Sequence, residues 1–141
     1  MDKDKEGEIY RSDLYVVSRE GGGRVIRLRR TNSPMNDDGL AEIERWYERL
    51  FPAFVRPRYG LLLDSREAPL IEDPALEQRM FDTGTRLFAG FSRGAILVGT
   101  AEGKLQASLL SRSRGITVPV FSREEDALEF LVDGIPVSRK L

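Results

Sequence analysis

Three short stretches, residues 60–63, 95–98 and 117–121, are apolar at nearly every position, and each is followed by a turn and a segment of helical periodicity. A strand without polar alternation has to be covered on both faces, which is the habit of parallel strands joined by crossover helices. The start of the chain is patterned differently. Residues 9–18 read as a strand centred on Tyr15, Val16 and Val17, and Gly21, Gly22 and Gly23 supply a turn. In residues 24–30, Val25, Ile26 and Leu28 stand between Arg24, Arg27 and Arg29, so this second strand is half exposed. Two strands across a glycine turn predict an antiparallel hairpin.

The helices follow from the 3.6-residue period and from capping residues. The first carries Leu40, Ile43, Tyr47, Leu50 and Phe54 on one face, with Asn36, Asp37 and Asp38 competing to cap it. Trp46 and Phe51 widen that stripe beyond what one buried face requires, so one of Trp46, Tyr47 and Phe51 is expected to be exposed at an interface. Asp73-Pro74 opens a second helix that runs to about Phe91 and buries Leu76, Met80, Leu87, Phe88 and Phe91. A third helix is expected over residues 102–114, with Gly115 beyond it. Pro119 marks the last strand as an edge or irregular one. Ser122 and Glu125 form a capping box for a fourth helix on Ala127, Leu128 and Leu131, stopped by Asp133-Gly134. The predicted order is β-β-α-β-α-β-α-β-α. It describes a single α/β domain over residues 9–134 with a mixed, mostly parallel sheet and flanking helices, preceded by a flexible segment, 1–8, and followed by a tail, 135–141.

Composition narrows the chemistry. The 141 residues contain no cysteine and no histidine, which excludes disulfides, thiol catalysis, Ser-His-Asp triads and the usual zinc and iron ligand sets. Twenty-two basic and twenty-three acidic side chains leave a net charge of -1, so no bulk attraction to nucleic acid or anionic membrane follows. Eighteen of the basic residues are Arg, a bias that fits genome composition and also suits interfaces. The charged first residues offer no apolar core for a secretory leader, and no apolar run is long enough to span a bilayer, so a cytoplasmic location is expected.

Ligands in open α/β sheets bind beyond the carboxyl ends of the strands. There the pattern places Asp64, Ser65 and Arg66 after one buried strand, Thr100 and Glu102 after the next, and Asp73 at the following helix start. These six residues are the candidate ligand or partner crevice. The competing reading makes Asp64 and Ser65 turn caps. Asp64 with Glu102 would be the pair for Mg²⁺, but their spacing matches no recognised metal loop, and no metal or other cofactor is assigned. Gly99 to Lys104 joins strand to helix but lacks the spacing and the hydroxyl residue of a phosphate loop. At the opposite end of the sheet Arg56, Arg58, Arg93, Arg112 and Arg114 precede the strands, forming a candidate basic docking end for an acidic partner or a second copy; the alternative is helix-dipole complementarity.

The stretch from Tyr59 to Leu76, a buried strand, a loop and a capped helix start, together with the closing run from Val118 to Leu131, resembles the STAS domain of the anti-sigma-factor antagonists and their SpoIIAA-like relatives. The resemblance covers roughly residues 9 to 133. In the signalling members the corresponding helix opens Asp-Ser-Ser-Gly-Leu and a serine is phosphorylated. This chain reads Glu72-Asp73-Pro74-Ala75-Leu76 and has no hydroxyl residue at that place. Asp73 is therefore either a fixed negative mark or an N-cap. The resemblance implies a non-enzymatic regulatory module of the bacterial cytoplasm that binds a partner protein, such as a signalling component, without serine phospho-switching. The alternative from the residues is a small-ligand domain, for a nucleotide or lipid, using the crevice beyond the parallel strands.

Overall fold

A computed structural model describes residues 7–101, 103–104 and 118–133. Six strands form one sheet in sequential order: β1 (Gly7–Arg11), β2 (Tyr15–Glu20), β3 (Val25–Arg30), β4 (Gly60–Asp64), β5 (Gly94–Leu97) and β6 (Val120–Phe121). The β1–β2 and β2–β3 pairs are antiparallel; β3–β4, β4–β5 and β5–β6 are parallel. This is the single α/β domain with a mixed sheet that the apolar runs imply. The β2–β3 turn is Gly21, Gly22 and Gly23, all at positive φ, a conformation that side chains with a Cβ resist.

Three helices are described: α1 (Asp37–Leu50), α2 (Pro74–Phe88) and α3 (Glu124–Asp133). Helices α1 and α2 cover one sheet face, where Leu28, Leu61, Ile43, Trp46, Tyr47, Phe51 and Leu87 meet. Helix α3 covers the other, setting Ala127 and Leu131 against Val25, Leu62, Ala95 and Leu97. Consecutive residues of β4 thus point into two different cores, and that is why its sequence shows no alternation. Each such leucine contributes about 1.5–3 kcal/mol by leaving water.

The structure departs from the sequence reading at several places, each for a local reason. Residues 9–18 are two strands rather than one, because Ser12 turns the chain: its Oγ accepts from the Leu14 and Tyr15 amides at 3.3 and 3.2 Å. Asn36 wins the cap of α1, accepting from the Gly39 amide at 2.8 Å. Trp46, Tyr47 and Phe51 are all buried, so none is the exposed aromatic; that residue is Phe54, 77% exposed beyond the end of α1. Helix α2 stops at Phe88, short of Phe91, because Gly90 takes φ of 90° just after the C-cap residue Ala89. The last strand is confined to Val120 and Phe121, after Pro119. Nearly all of the third predicted helix lies outside the described residues.

Two glycines distinguish filled from open space around α2. A Cβ on Gly94 would sit 2.3 Å from Cδ1 of Phe88, whereas one on Gly84 meets nothing within 4 Å. Gly94→Ala is expected to cost about 1–3 kcal/mol by overpacking, and Gly84→Ala to add about 0.5–1 kcal/mol by restricting the unfolded chain. Urea unfolding of both variants checks this; a Gly94→Ala protein as stable as the parent would contradict the packing.

Candidate functional site

Strand β3 sends alternate residues to opposite faces. Val25, packed with the α3 core, and Ile26 and Leu28, packed with the other, fix the phase. Arg27 therefore faces α3, while Arg30 faces the layer of α1 and α2. Both side chains are buried, at 5% and 3% exposure, yet their surroundings are opposite.

On the α3 face the ends of the strands are closed by ion pairs. Asp64, 1% exposed at the end of β4, accepts from Nη1 of Arg27 at 2.7 Å and from Nη2 and Nε of Arg66 at 2.7 and 2.9 Å. Arg27 also forks onto Glu20 at 2.6 and 2.7 Å and donates to Glu124 at the start of α3. Burial alone would raise the Asp64 pKa. The hydrogen bonds from the Arg66 side chain and backbone and from Arg27 outweigh it, holding the carboxyl below its usual range. Burial likewise works against the Arg27 cation, and its hydrogen bonds to Glu20 and Glu124 reverse that and raise its pKa. These contacts tie β2, β3, β4 and α3 together. Both oxygens of Asp64 are thus taken up by the guanidiniums of Arg27 and Arg66, and its side chain does not line the crevice.

The crevice itself lies on the other face. Between the ends of β4 and β5, the loop after β4 and α2 there is a cavity of about 290 Å³. Leu63, Ile96 and Val98 form its floor, Met80, Phe81 and Phe88 its α2 wall, and Leu70 and Ile71 a flank. Ser65, Arg66 and Thr100 of the predicted crevice line it. Thr100 also starts a helical turn, with Oγ1 accepting from the Gly103 amide at 2.9 Å. Asp73 does not line it; its carboxylate caps α2, accepting from the Ala75 amide at 3.0 Å. Glu102 lies outside the described residues.

Sequence reading missed Arg30 and the apolar walls. A signal for the arginine existed: Arg29 and Arg30 are adjacent in a strand, so one of them has to face a covered side. The cavity had no such signal, because Met80 and Phe88 read as ordinary core.

At the opposite sheet end the five arginines are not equivalent. Arg56 is buried: Nε donates to the Phe51 carbonyl at 2.7 Å, Nη1 to that of Ala89 at 2.9 Å, and Nη2 pairs with Glu48 at 2.9 Å. It closes the ends of α1 and α2 and is not available for docking. Arg93 is half-buried, lying 4.5 Å from the centre of the Phe130 ring and donating to the Phe130 carbonyl at 2.9 Å. Arg58 is exposed. Arg112 and Arg114 lie outside the described residues. Among the described residues no group of three or more Asp and Glu is placed to hold a metal ion, and no helix is long and apolar enough to cross a membrane.

The ion network carries a pH dependence. The folded-state pKa of Asp64 lies below the ordinary 3.8, so its stabilising effect is complete above that pH and is lost as pH falls through the folded value. Asp64→Asn is expected to cost about 3 kcal/mol at neutral pH, since it strips a buried charge partner from Arg27. The gap between parent and variant should narrow below pH 3.8. Urea melts across that range test it, and a gap independent of pH would show that the Asp64 charge is not the source.

No protein-family model matches the chain, and no curated protein matches it significantly. A solved structure does: a crystal structure of an uncharacterized protein of the DUF3478 family with a SpoIIAA-like fold, from Shewanella loihica PV-4. It superposes with a TM-score of 0.63 over 93% of this chain and 98% of that one, at 14% sequence identity. At that identity the likeness concerns architecture: the chain has the SpoIIAA-like fold.

Proposed function

We propose that this chain is a non-enzymatic binding module of regulatory type that takes a small, mainly apolar ligand into the cavity beside α2. One observation carries the reading: about 290 Å³ of space, walled by Leu63, Met80, Phe81, Phe88, Ile96 and Val98, in a domain of this size. Protein interiors are packed like organic crystals and keep few voids larger than a water molecule. Ligand sites begin at about 300 Å³ and are mostly apolar with a few polar groups, which fits the composition of these walls. The position, beyond the carboxyl ends of β4 and β5, is where open α/β sheets hold their ligands. The SpoIIAA-like fold is consistent with a regulatory rather than a catalytic role. In support of the non-enzymatic part, Asp64 at the end of β4 is committed to Arg27 and Arg66, and Glu77, which lines the cavity, is itself engaged. The chain has no histidine or cysteine, and the charged residues described at the cavity are Arg30, Arg66 and Glu77.

Partner-protein binding is the second reading. Phe54, 77% exposed between α1 and β4, is the observation that favours it, and that surface lies at the other end of the sheet from the cavity.

Gly84 gives the cavity reading a direct test. It lines the cavity, and a Cβ there meets nothing within 4 Å. Gly84→Leu should therefore fill the space while leaving the fold intact. Decan-1-ol is expected to raise the melting temperature of the parent chain by mass action and to leave Gly84→Leu unmoved. No response in the parent, or an equal response in both, would overturn the assignment.

A further inference from the structure

We infer that the ligand of this cavity is an amphipathic monocarboxylate, an apolar body ending in one acid group, and that Arg30 anchors its head. This rests on the cavity reading and adds the chemical class of its occupant.

Arg30 lines the cavity and is 3% exposed. Its Nη2 donates to the Ser33 carbonyl at 2.9 Å, its guanidinium carbon lies 5.5 Å from the centre of the Tyr15 ring, and its Nε is buried with no acceptor among the described residues. Among the described residues no carboxylate forms an ion pair with it. Arg27, three residues earlier on the same strand, forms ion pairs with Glu20, Asp64 and Glu124. Leaving a buried cation unmatched is costly, and the cost is removed by an anion that arrives from outside. Desolvation accordingly lowers the Arg30 pKa, with the nearby Tyr15 working in the other direction.

The remaining charged groups at the cavity restrict the choice. Arg66 is already paired with Asp64, and Glu77 is itself engaged. Among the described residues one guanidinium fork is left, and a single carboxylate matches it with two parallel hydrogen bonds. The orphaned Nε means that no protein acceptor fixes that side of the fork, so it can turn toward an incoming acid. A neutral ligand would leave the cation unmatched. A small acid such as acetate would leave the floor of Leu63, Ile96 and Val98 unfilled.

Decanoate and decan-1-ol separate the head from the tail. Calorimetric titration of the full chain at neutral pH is expected to show decanoate binding about tenfold more tightly than decan-1-ol, the value of one charge-assisted hydrogen-bond pair. Arg30→Met should abolish that preference and leave decan-1-ol binding as it was. Arg30→Lys, which keeps the charge without the fork, guards against a Met variant that does not fold; it should weaken decanoate relative to decan-1-ol by about threefold. Equal affinities in the parent, or a preference that survives either substitution unchanged, would overturn the role of Arg30 while the cavity reading stands. Binding of neither compound to the parent would overturn both.

Discussion

Burial of β4 and β5 on both faces is the constraint from which the rest of the molecule follows. Parallel strands cannot be joined by tight turns, so the crossovers from β3 to β4 and from β4 to β5 place α1 and α2 against the sheet, and two apolar faces require two covers. Here the covers are unequal. Among the described residues helices α1 and α2 lie on one side and α3 on the other, and a cavity beside α2 stands at the carboxyl ends of the strands. The cavity is therefore a property of how the layers meet, and it falls where loops from two adjacent strands emerge together.

The two faces solve the same electrostatic problem in opposite ways. Strand β3 delivers one buried arginine to each. On the α3 side, Arg27 is matched by Glu20, Asp64 and Glu124, and the ion pairs latch the start of α3 onto three strands. On the α2 side, Arg30 has a backbone carbonyl and an aromatic ring but no carboxylate among the described residues. Such a contrast within four residues of one strand is hard to account for by stability alone, because a buried ion pair is at best a weak contributor and an unpaired buried cation is a cost. Tyr15, whose hydroxyl is also buried with no hydrogen-bond partner among the described residues and whose pKa is pushed up to about 12 by desolvation with Arg30 opposing, lies beneath the same guanidinium. Polar groups without partners thus extend from the cavity edge toward α1.

Much of the architecture was legible because it is written in local patterns. The runs at residues 60–63 and 95–98 marked doubly covered strands, Asp73-Pro74 marked the start of α2, and the triple glycine marked the β2–β3 turn. Errors arose where one hydrogen bond or one dihedral decided the outcome. Ser12 split a strand by capping a turn, and Gly90 ended α2 one turn early. The width of the α1 stripe misled for a different reason: Trp46, Tyr47 and Phe51 are all needed because α1 packs against both the sheet and α2, a surface wider than a single-face count allows.

Sequence alone determined the class of fold, the placing of the carboxyl ends of the parallel strands, and the exclusion of thiol and imidazole chemistry, since periodicity and composition are properties of neighbouring residues or of totals. Only the tertiary structure decided which charges are spent and which are available. Asp64 and Arg56 looked like surface groups and are internal ties, whereas Arg30 looked like one more cation of a half-exposed strand and is buried without a carboxylate partner among the described residues. Charge pairing is settled by residues tens of positions apart, Arg27 with Glu124 being 97 apart, and no local pattern carries that information.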